Sequence, residues 1–195
     1  MKIKFDSPVV LIFSAICAGV YLLQYLNISG GLFTLVPEFQ PSSISWYFRL
    51  FSHAVGHGSI DHLMGNLAFI LLLGPIVEKT YGSTNLIIMI LTTALLTGLI
   101  HISFSSSGLL GASGVVFMMI LLVSLINLKN KEIPLTFILI LIVYMGKEIL
   151  GTFSNDNVAH STHIVGGLVG AFFGFYLNKH KIKKDSKKED VLTLK

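Results

Sequence analysis

Six apolar runs, nearly free of charged residues, occupy most of this chain and limit its fold more than any other feature. A helix needs about 20 apolar residues to cross a hydrocarbon core about 30 Å thick. The first, third and sixth runs meet that length, whereas the second and fourth are several residues short. The pattern predicts an all-α membrane protein with a bundle of six transmembrane helices, in the segments Pro8–Leu26, His62–Val77, Leu86–Phe104, Ser113–Leu128, Ile133–Leu150 and Val158–Leu177.

The composition agrees with a lipid environment and with a single domain of 195 residues. Apolar residues make up 53% and charged residues 12%, whereas soluble domains carry about 25% charge. The net charge is +4, and the basic residues lie at the ends of apolar runs. That placement predicts contact with anionic lipid headgroups and argues against nucleic acid. The single cysteine, Cys17, excludes an intramolecular disulfide and a cysteine-based metal cage.

The basic residues also predict an orientation in the membrane. With both termini in the cytoplasm, 12 of the 14 basic residues lie inside, and only Arg49 and Lys147 lie outside. We therefore expect a cytoplasmic N-terminus at residues 1–7, a six-helix transmembrane domain at residues 8–178 and a lysine-rich cytoplasmic tail at residues 179–195. The first run follows Lys2 and Lys4 but is too long for a signal peptide, so we expect a retained helix.

Two connections on the outer side are unusual. The long connection Asn27–Phe51 contains Trp46 and Tyr47, which are typical of the membrane interface, so we expect it to be partly embedded. The connection Ser105–Gly111 precedes the short fourth run. Irregular backbone cannot face lipid with unpaired N–H and C=O groups. We therefore expect this connection to be buried in protein or to line a wet cavity.

Polar residues gather at the outer ends of the predicted helices, and ionisable groups within spans are candidates for function. His62 and Asn66 are four residues apart, so they share one helix face and could donate hydrogen bonds into one site. They could equally bond to a neighbouring helix. A zinc site of His53, His57 and His62 is a further alternative, although the chain has no HExxH motif and offers no general base beside a metal-bound water.

A second candidate is Ser113, which opens the fourth run between Gly111 and Gly114. A serine at a helix start is most often an N-cap. The flanking glycines allow a close backbone approach, however, and a helix N-terminus supplies free N–H groups and partial positive charge. These features suit an acyl-transfer nucleophile, because its tetrahedral intermediate carries an oxyanion that needs hydrogen-bond donors.

A third candidate is His163 in the last run, three residues after His160. Gly166, Gly170 and Gly174 follow at four-residue spacing and form a stripe that lets two membrane helices approach closely. His163 lies on nearly the same face. If the fourth helix packs on the stripe, the imidazole comes within reach of Ser113.

Together these motifs resemble the rhomboid intramembrane proteases. A HxxxN pair, GxSG at a later helix start and HxxGxxxG in the last helix occur in the family's order. The resemblance extends to Trp46, Arg49, the paired His53 and His57, and the residues around Glu78, and it covers the chain from about Trp46 to Gly174.

The resemblance implies a role for each of these residues. Ser113 is expected to be the nucleophile and His163 the general base and acid. His62, Asn66 and the backbone N–H of Ser113 are the expected oxyanion donors, supported by Gly111, Gly114, Gly166 and Gly170. Phe117 takes the aromatic position one turn after the serine, and Thr162 replaces the more usual alanine before the histidine. His53, His57 and Glu78 are expected to be structural.

The expected function is intramembrane serine endopeptidase activity through a Ser–His dyad, with no metal, ATP or cofactor. The expected partners are membrane lipids and transmembrane protein substrates, and the expected location is a bacterial inner membrane. One alternative is a non-proteolytic relative of the same fold, although such relatives lack the serine or the histidine. A small transporter or channel is the other, but it would place polar groups along the midplane. The sequence leaves the oligomeric state, the substrate and the role of His160 open.

Overall fold

The computed structural model describes the backbone of residues 5–126, 133–151 and 159–193. Its elements are helical there, which confirms an all-α fold for those residues, and one isolated antiparallel bridge joins Leu35 to Leu109. A 3-10 turn, His53–Val55, follows α2, and a π-helical turn, Leu141–Met145, joins α6 to α7. The helices are α1 (Pro8–Tyr25), α2 (Ile44–Ser52), α3 (Ile60–Tyr81), α4 (Ser83–Phe104), α5 (Ser113–Ser124), α6 (Leu135–Ile140), α7 (Gly146–Gly151) and α8 (His160–Thr193).

Among the residues that the structure describes, three helices, α1, α3 and α4, are long and apolar enough to cross a membrane. Their outward faces carry large apolar side chains that no protein covers; Ile12, Leu72 and Ile88 are 55%, 66% and 48% exposed. Contiguous exposed apolar surface of this kind needs lipid around it. Several predicted features lie outside the described residues. They are the C-terminal end of the fourth predicted run, the first residue of the sixth, the lysines at positions 2, 4, 129 and 131, and the side chains of the lysine-rich tail.

The expectation of a short second helix is wrong, because α3 has 22 residues. It begins earlier than predicted, at Ile60, where the Ser59 hydroxyl accepts a hydrogen bond from the His62 N–H at 3.1 Å. It also continues past Val77, although Glu78 and Lys79 are charged. The buried Glu78 carboxylate is satisfied by hydrogen bonds, so its charge does not end the helix.

Glu78 joins the ends of three helices. Its carboxylate accepts hydrogen bonds from the backbone N–H groups of Val9 and Val10 at 3.1 Å each, and from the Ser83 hydroxyl at 2.7 Å. The first turn of α1 has N–H groups without intrahelical partners and partial positive charge, which a carboxylate complements. This arrangement agrees with the structural role expected for Glu78.

The expectation of a short fourth helix is confirmed within the described residues, since α5 runs over 12 residues. Its side chains are buried on all sides, and Met118, Met119, Leu121 and Leu122 have no exposed surface. A helix that is apolar all round belongs at the centre of a bundle. Because protein surrounds α5, its length is not set by the thickness of the lipid.

The glycine stripe of α8 packs directly on the backbone of α5, as predicted. A Cβ built on Gly166 would collide with the Gly114 carbonyl and lie 2.9 Å from the Gly114 Cα. A Cβ on Gly170 would meet the Met118 backbone in the same way, and one on Gly174 would lie 2.7 Å from Leu125 Cδ1. No side chain separates the two helices at Gly166 and Gly170, so their spacing is fixed by backbone atoms.

The connection between α1 and α3, which the sequence predicts on the outer side, is folded against the rest of the protein. It includes α2, which buries Trp46 and Leu50, and the Ser52 hydroxyl donates to the Leu32 carbonyl at 2.6 Å. Leu35 and Leu109 exchange two backbone hydrogen bonds of 2.9 Å each. Leu109 is buried, and the Gly111 N–H donates to the His53 carbonyl at 2.9 Å. The connection before α5 is thus held partly within protein, as its position predicted.

Candidate active site

Ser113 is the first helical residue of α5, and Ala112 occupies the N-cap position. The interpretation of Ser113 as an N-cap is therefore wrong. Ser113 is half-buried, so its hydroxyl is neither sealed in the core nor fully solvated. The first N–H groups of a helix have no intrahelical acceptor, which leaves donors beside the Ser113 side chain.

Gly111 brings His62 and Ser113 together. A Cβ on Gly111 would lie 2.8 Å from His62 Nε2, 2.7 Å from His62 Cε1 and 3.8 Å from the Ser113 Oγ. The φ angle of Gly111 is +133°, which disfavours any residue with a side chain. The imidazole of His62 therefore occupies space beside the serine hydroxyl that only a glycine leaves open.

His163 is oriented by an aromatic residue on the serine's own helix. The rings of Phe117 and His163 are stacked, with centroids 4.5 Å apart and planes 4° from parallel. Phe117 lies one turn after Ser113. A Cβ built on Gly114 would lie 3.4 Å from the Cγ2 of Thr162, the neighbour of His163. These contacts place His163 against the helix that carries Ser113.

Asn66 is buried, and its side-chain amide is hydrogen-bonded to His57. The distance from Asn66 Nδ2 to His57 Nε2 is 3.1 Å, and His57 Nδ1 lies 3.2 Å from the Val55 carbonyl. A carbonyl only accepts, so Nδ1 carries the proton and Nε2 accepts from Asn66. This bond uses one of the two Asn66 N–H groups. The His57 ring also lies edge-on to His62, with centroids 5.0 Å apart.

His57 is held neutral by its surroundings. Burial lowers its pKa from 6.5 to about 4, and repulsion from His62 contributes, against a smaller opposing effect of the Val55 carbonyl. The His57 backbone N–H donates to Gln24 Oε1 of α1 at 2.9 Å. His57 thus orients Asn66 and anchors the site to α1, which agrees with its expected structural role.

Two of the three histidines of the alternative zinc site, His53 and His57, are bonded to other groups. His53 Nε2 lies 3.0 Å from the Ala94 carbonyl, and His57 bonds to Asn66 and Val55. Across the described ranges, no three His, Cys, Asp or Glu side chains form a group that could hold a metal ion. Burial also lowers the pKa of His53 to about 4, with repulsion from His101 as a lesser cause. His53 therefore serves as a neutral hydrogen-bonding link between helices.

His101 is a buried polar residue near the site that none of the sequence motifs singled out. Its ring is buried, and its Nε2 lies 2.8 Å from the carbonyl of Ser107, in the connection that leads to Ser113. An imidazole inside an apolar run is a signal that could have singled it out. The structure thus brings Ser113, His62 and Gly111 together directly. His163 lies against Phe117, and Asn66 lies behind His62, bonded to His57.

Comparison with known proteins agrees with these features. Residues 45–180 match the rhomboid domain, which covers more than half of the chain. The chain therefore belongs to the rhomboid family and is an integral membrane protein, as its motifs predicted. It is also similar to the rhomboid protease GlpG of Haemophilus influenzae, with 27% identity over 186 residues, or 93% of this chain and 95% of that protein.

Proposed function

We propose that this rhomboid-family chain is an intramembrane serine endopeptidase with Ser113 as nucleophile and His163 as base. Family membership and similarity to a rhomboid protease support intramembrane proteolysis. The observation that carries the residue assignment is the position of Ser113 at the start of α5. There it lies beside His62 across Gly111 and one turn from Phe117, on which His163 is stacked.

The chemistry follows from these positions. His163 takes the proton of the Ser113 hydroxyl as the oxygen attacks a substrate carbonyl. The resulting oxyanion accepts hydrogen bonds from His62, the remaining Asn66 N–H and the Ser113 backbone N–H. His163 then gives its proton to the leaving amine, and water releases the acyl-enzyme by the reverse sequence. Each oxyanion donor contributes about 3–4 kcal/mol in soluble hydrolases.

The membrane setting defines the substrate. We propose six spans with both termini in the cytoplasm of a bacterial inner membrane, so that the site opens to the outer side. A transmembrane helix keeps its peptide bonds internally paired. It must unwind locally before a serine can attack, so substrates are membrane proteins with glycine, proline or small residues near the scissile bond.

Purified enzyme in detergent or liposomes, incubated with a model transmembrane substrate, tests the proposal. Ser113→Ala should abolish cleavage, since loss of the nucleophile costs on the order of 10⁶-fold in kcat in soluble serine proteases. The control is Ser106→Ala, in the exposed part of the preceding connection. Undiminished cleavage by Ser113→Ala would refute the assignment. Failure of the intact protein to cleave, with the fold retained, would favour a non-proteolytic rhomboid relative.

A further inference from the structure

His101 is a buried imidazole near the proposed catalytic residues that the mechanism does not use. It lies in the last turn of α4, and its side chain is 2% exposed. Its Nε2 lies 2.8 Å from the carbonyl oxygen of Ser107, in the connection that leads to Ser113. A carbonyl only accepts a hydrogen bond, so Nε2 carries the proton and His101 donates to the backbone of that connection.

Beyond its first residue, the connection 105–111 is tied to other parts of the protein by hydrogen bonds at three points. Two of them are the backbone bonds of Leu109 and Gly111 described above, which no change of side chain removes. The third is the bond that Ser107 accepts from His101. In the part of the chain that the structure describes, no other side chain from outside the connection bonds to it. His101 is therefore the side chain that attaches this connection to α4.

The half of the connection that His101 holds has little else to fix it. Ser106, Ser107 and Gly108 are exposed. The Ser105 hydroxyl bonds to the hydroxyl and the N–H of Ser107 at 3.0 and 3.2 Å, but these bonds tie the segment only to itself. Loss of the imidazole donor would release this half from α4.

The other half of the connection ends in the proposed active site. Gly111, at a φ of +133°, leaves the space that His62 occupies beside Ser113. The Ser113 N–H, a proposed oxyanion donor, follows two residues later. Reacting groups have to be held within about 0.5 Å of the productive geometry, so the path of this short connection matters for the reaction.

We propose that His101 is a positioning residue: by donating to the Ser107 carbonyl it holds the connection 105–111 in the path that places Gly111 and Ser113 for catalysis. This inference rests on the proposed role of Ser113 as the nucleophile. His101 is buried and acts through the backbone of the connection, so its replacement should lower kcat and leave KM nearly unchanged.

Three replacements of His101 separate the donor from the bulk of the ring. His101→Leu removes the donor and keeps a large apolar side chain, and the amide of His101→Asn is one bond too short to reach the position of Nε2. His101→Gln carries its amide nitrogen as many bonds from the backbone as the histidine Nε2, so it can still donate to Ser107. The leucine and asparagine variants should lower kcat by about 10–100-fold, since a misplacement of about 1 Å can cost about 100-fold. His101→Gln should restore most of the activity.

A general loss of stability also lowers activity, so Glu78→Ala is the control. Glu78 lies about 24 Å along α3 from His62, at a rise of about 1.5 Å per residue. Glu78→Ala should weaken the fold and keep the wild-type kcat at temperatures where it is folded. Three results would each overturn the inference: full activity of His101→Leu, an equal loss of activity in the leucine and glutamine variants, or a rise in KM without a fall in kcat.

Amide hydrogen exchange separates this inference from the proposed function, because it reports local opening and needs no catalysis. The N–H groups of Leu109 and Gly111 are hydrogen-bonded and report on the connection. In the Ser113→Ala protein, His101→Leu should speed exchange in peptides that cover residues 105–111 and leave those of α1 unchanged, and His101→Gln should do neither.

The exchange result has a clear outcome in either direction. Unchanged exchange over residues 105–111 in His101→Leu would overturn the inference and leave the protease assignment intact. Faster exchange there, in a protein whose wild type cleaves nothing, would establish the anchor and refute the protease assignment on which its catalytic role rests.

Discussion

Phe117 lies flat against the imidazole of His163, with ring centroids 4.5 Å apart. The Phe117 ring also contacts the ring of Tyr144 nearly edge-on, with ring centroids 6.1 Å apart. The helix that carries the serine thus also orients the proposed base. In a Ser–His–Asp triad a carboxylate performs that task, and here an apolar ring does so without adding charge.

Replacing Phe117 by leucine should lower kcat by about 2–10-fold, because stacking of aromatic rings contributes about 0.5–1.5 kcal/mol. The effect on KM should be small if the ring orients His163 and does not bind substrate. Phe117→Tyr should retain activity, since the stacking face is kept. Steady-state kinetics on a model substrate measures both, with Phe172→Leu on the exposed face of α8 as control. A rise in KM with unchanged kcat would contradict the orienting role.

Gly166→Ala should destabilise the protein by about 1–3 kcal/mol or more, the usual cost of overpacking. The new methyl group would collide with the backbone of Gly114, which cannot move aside as a side chain can. Thermal unfolding in detergent, followed by circular dichroism, measures the change.

Gly19→Ala is the control for this prediction. Gly19 lies in α1 with nothing within 4 Å of an added Cβ. Its replacement should be neutral, or stabilising by up to about 1 kcal/mol through helix propensity. Similar melting temperatures for the two variants would mean that α5 and α8 are not in backbone contact.

Glu78→Ala should lower stability by at least about 1.5–3 kcal/mol, the value of a hydrogen bond to a charged group. The change removes the acceptor for two N–H groups of α1 and for the Ser83 hydroxyl. Glu78→Gln should be milder, because its amide oxygen still accepts. Glu38→Ala, in the exposed part of the outer connection, serves as control. Denaturation monitored by tryptophan fluorescence provides the measurement.

Stability should fall as the pH is lowered from about 6.5 to 4. Burial lowers the pKa values of His53 and His57 to about 4, whereas in the unfolded chain they are about 6.5. The unfolded state therefore binds protons first, so the stability present above pH 6.5 is lost through this window. Each histidine contributes on the order of 1–3 kcal/mol.

Melting temperatures across pH 4–8 test this expectation. His57→Gln should flatten the decline, because glutamine can still accept from Asn66 and does not titrate. His180→Gln, a replacement in the tail, should leave the decline as it is. A decline of equal steepness in His57→Gln and the wild type would show that His57 does not titrate on unfolding.

The sequence predicted much of the site because many of the residues that form it are separated by short, regular intervals in the chain. The interval from Gly166 to Gly170 predicted a close helix contact, and α5 packs there. The flanking glycines singled out Ser113, and the four-residue spacing of His62 and Asn66 placed both on α3. The two spacings depend on helical periodicity, whereas Ser113 was singled out by its flanking glycines and its position at a helix start, and the roles of these residues came from the resemblance to the rhomboid proteases.

The remaining features depend on tertiary contacts that no regular spacing predicts. The bond between Asn66 and His57 spans only nine residues, but it depends on how the segment before α3 folds back on that helix. The extension of α3 beyond Val77 depends on the hydrogen bonds that the Glu78 carboxylate accepts from α1, 68 and 69 residues away in sequence. His101 was missed because its apolar neighbours predicted a plain span.

The glycine contact prevents α5 and α8 from moving closer together near the proposed catalytic residues. Where side chains fill an interface, a change of rotamer can shift two helices by a fraction of an ångström. At Gly114 and Gly166 only the hard radii of peptide atoms define the gap. The proposed nucleophile and base therefore lie on two helices whose separation is set by backbone contact, so we expect any widening that admits a substrate to occur elsewhere in the protein.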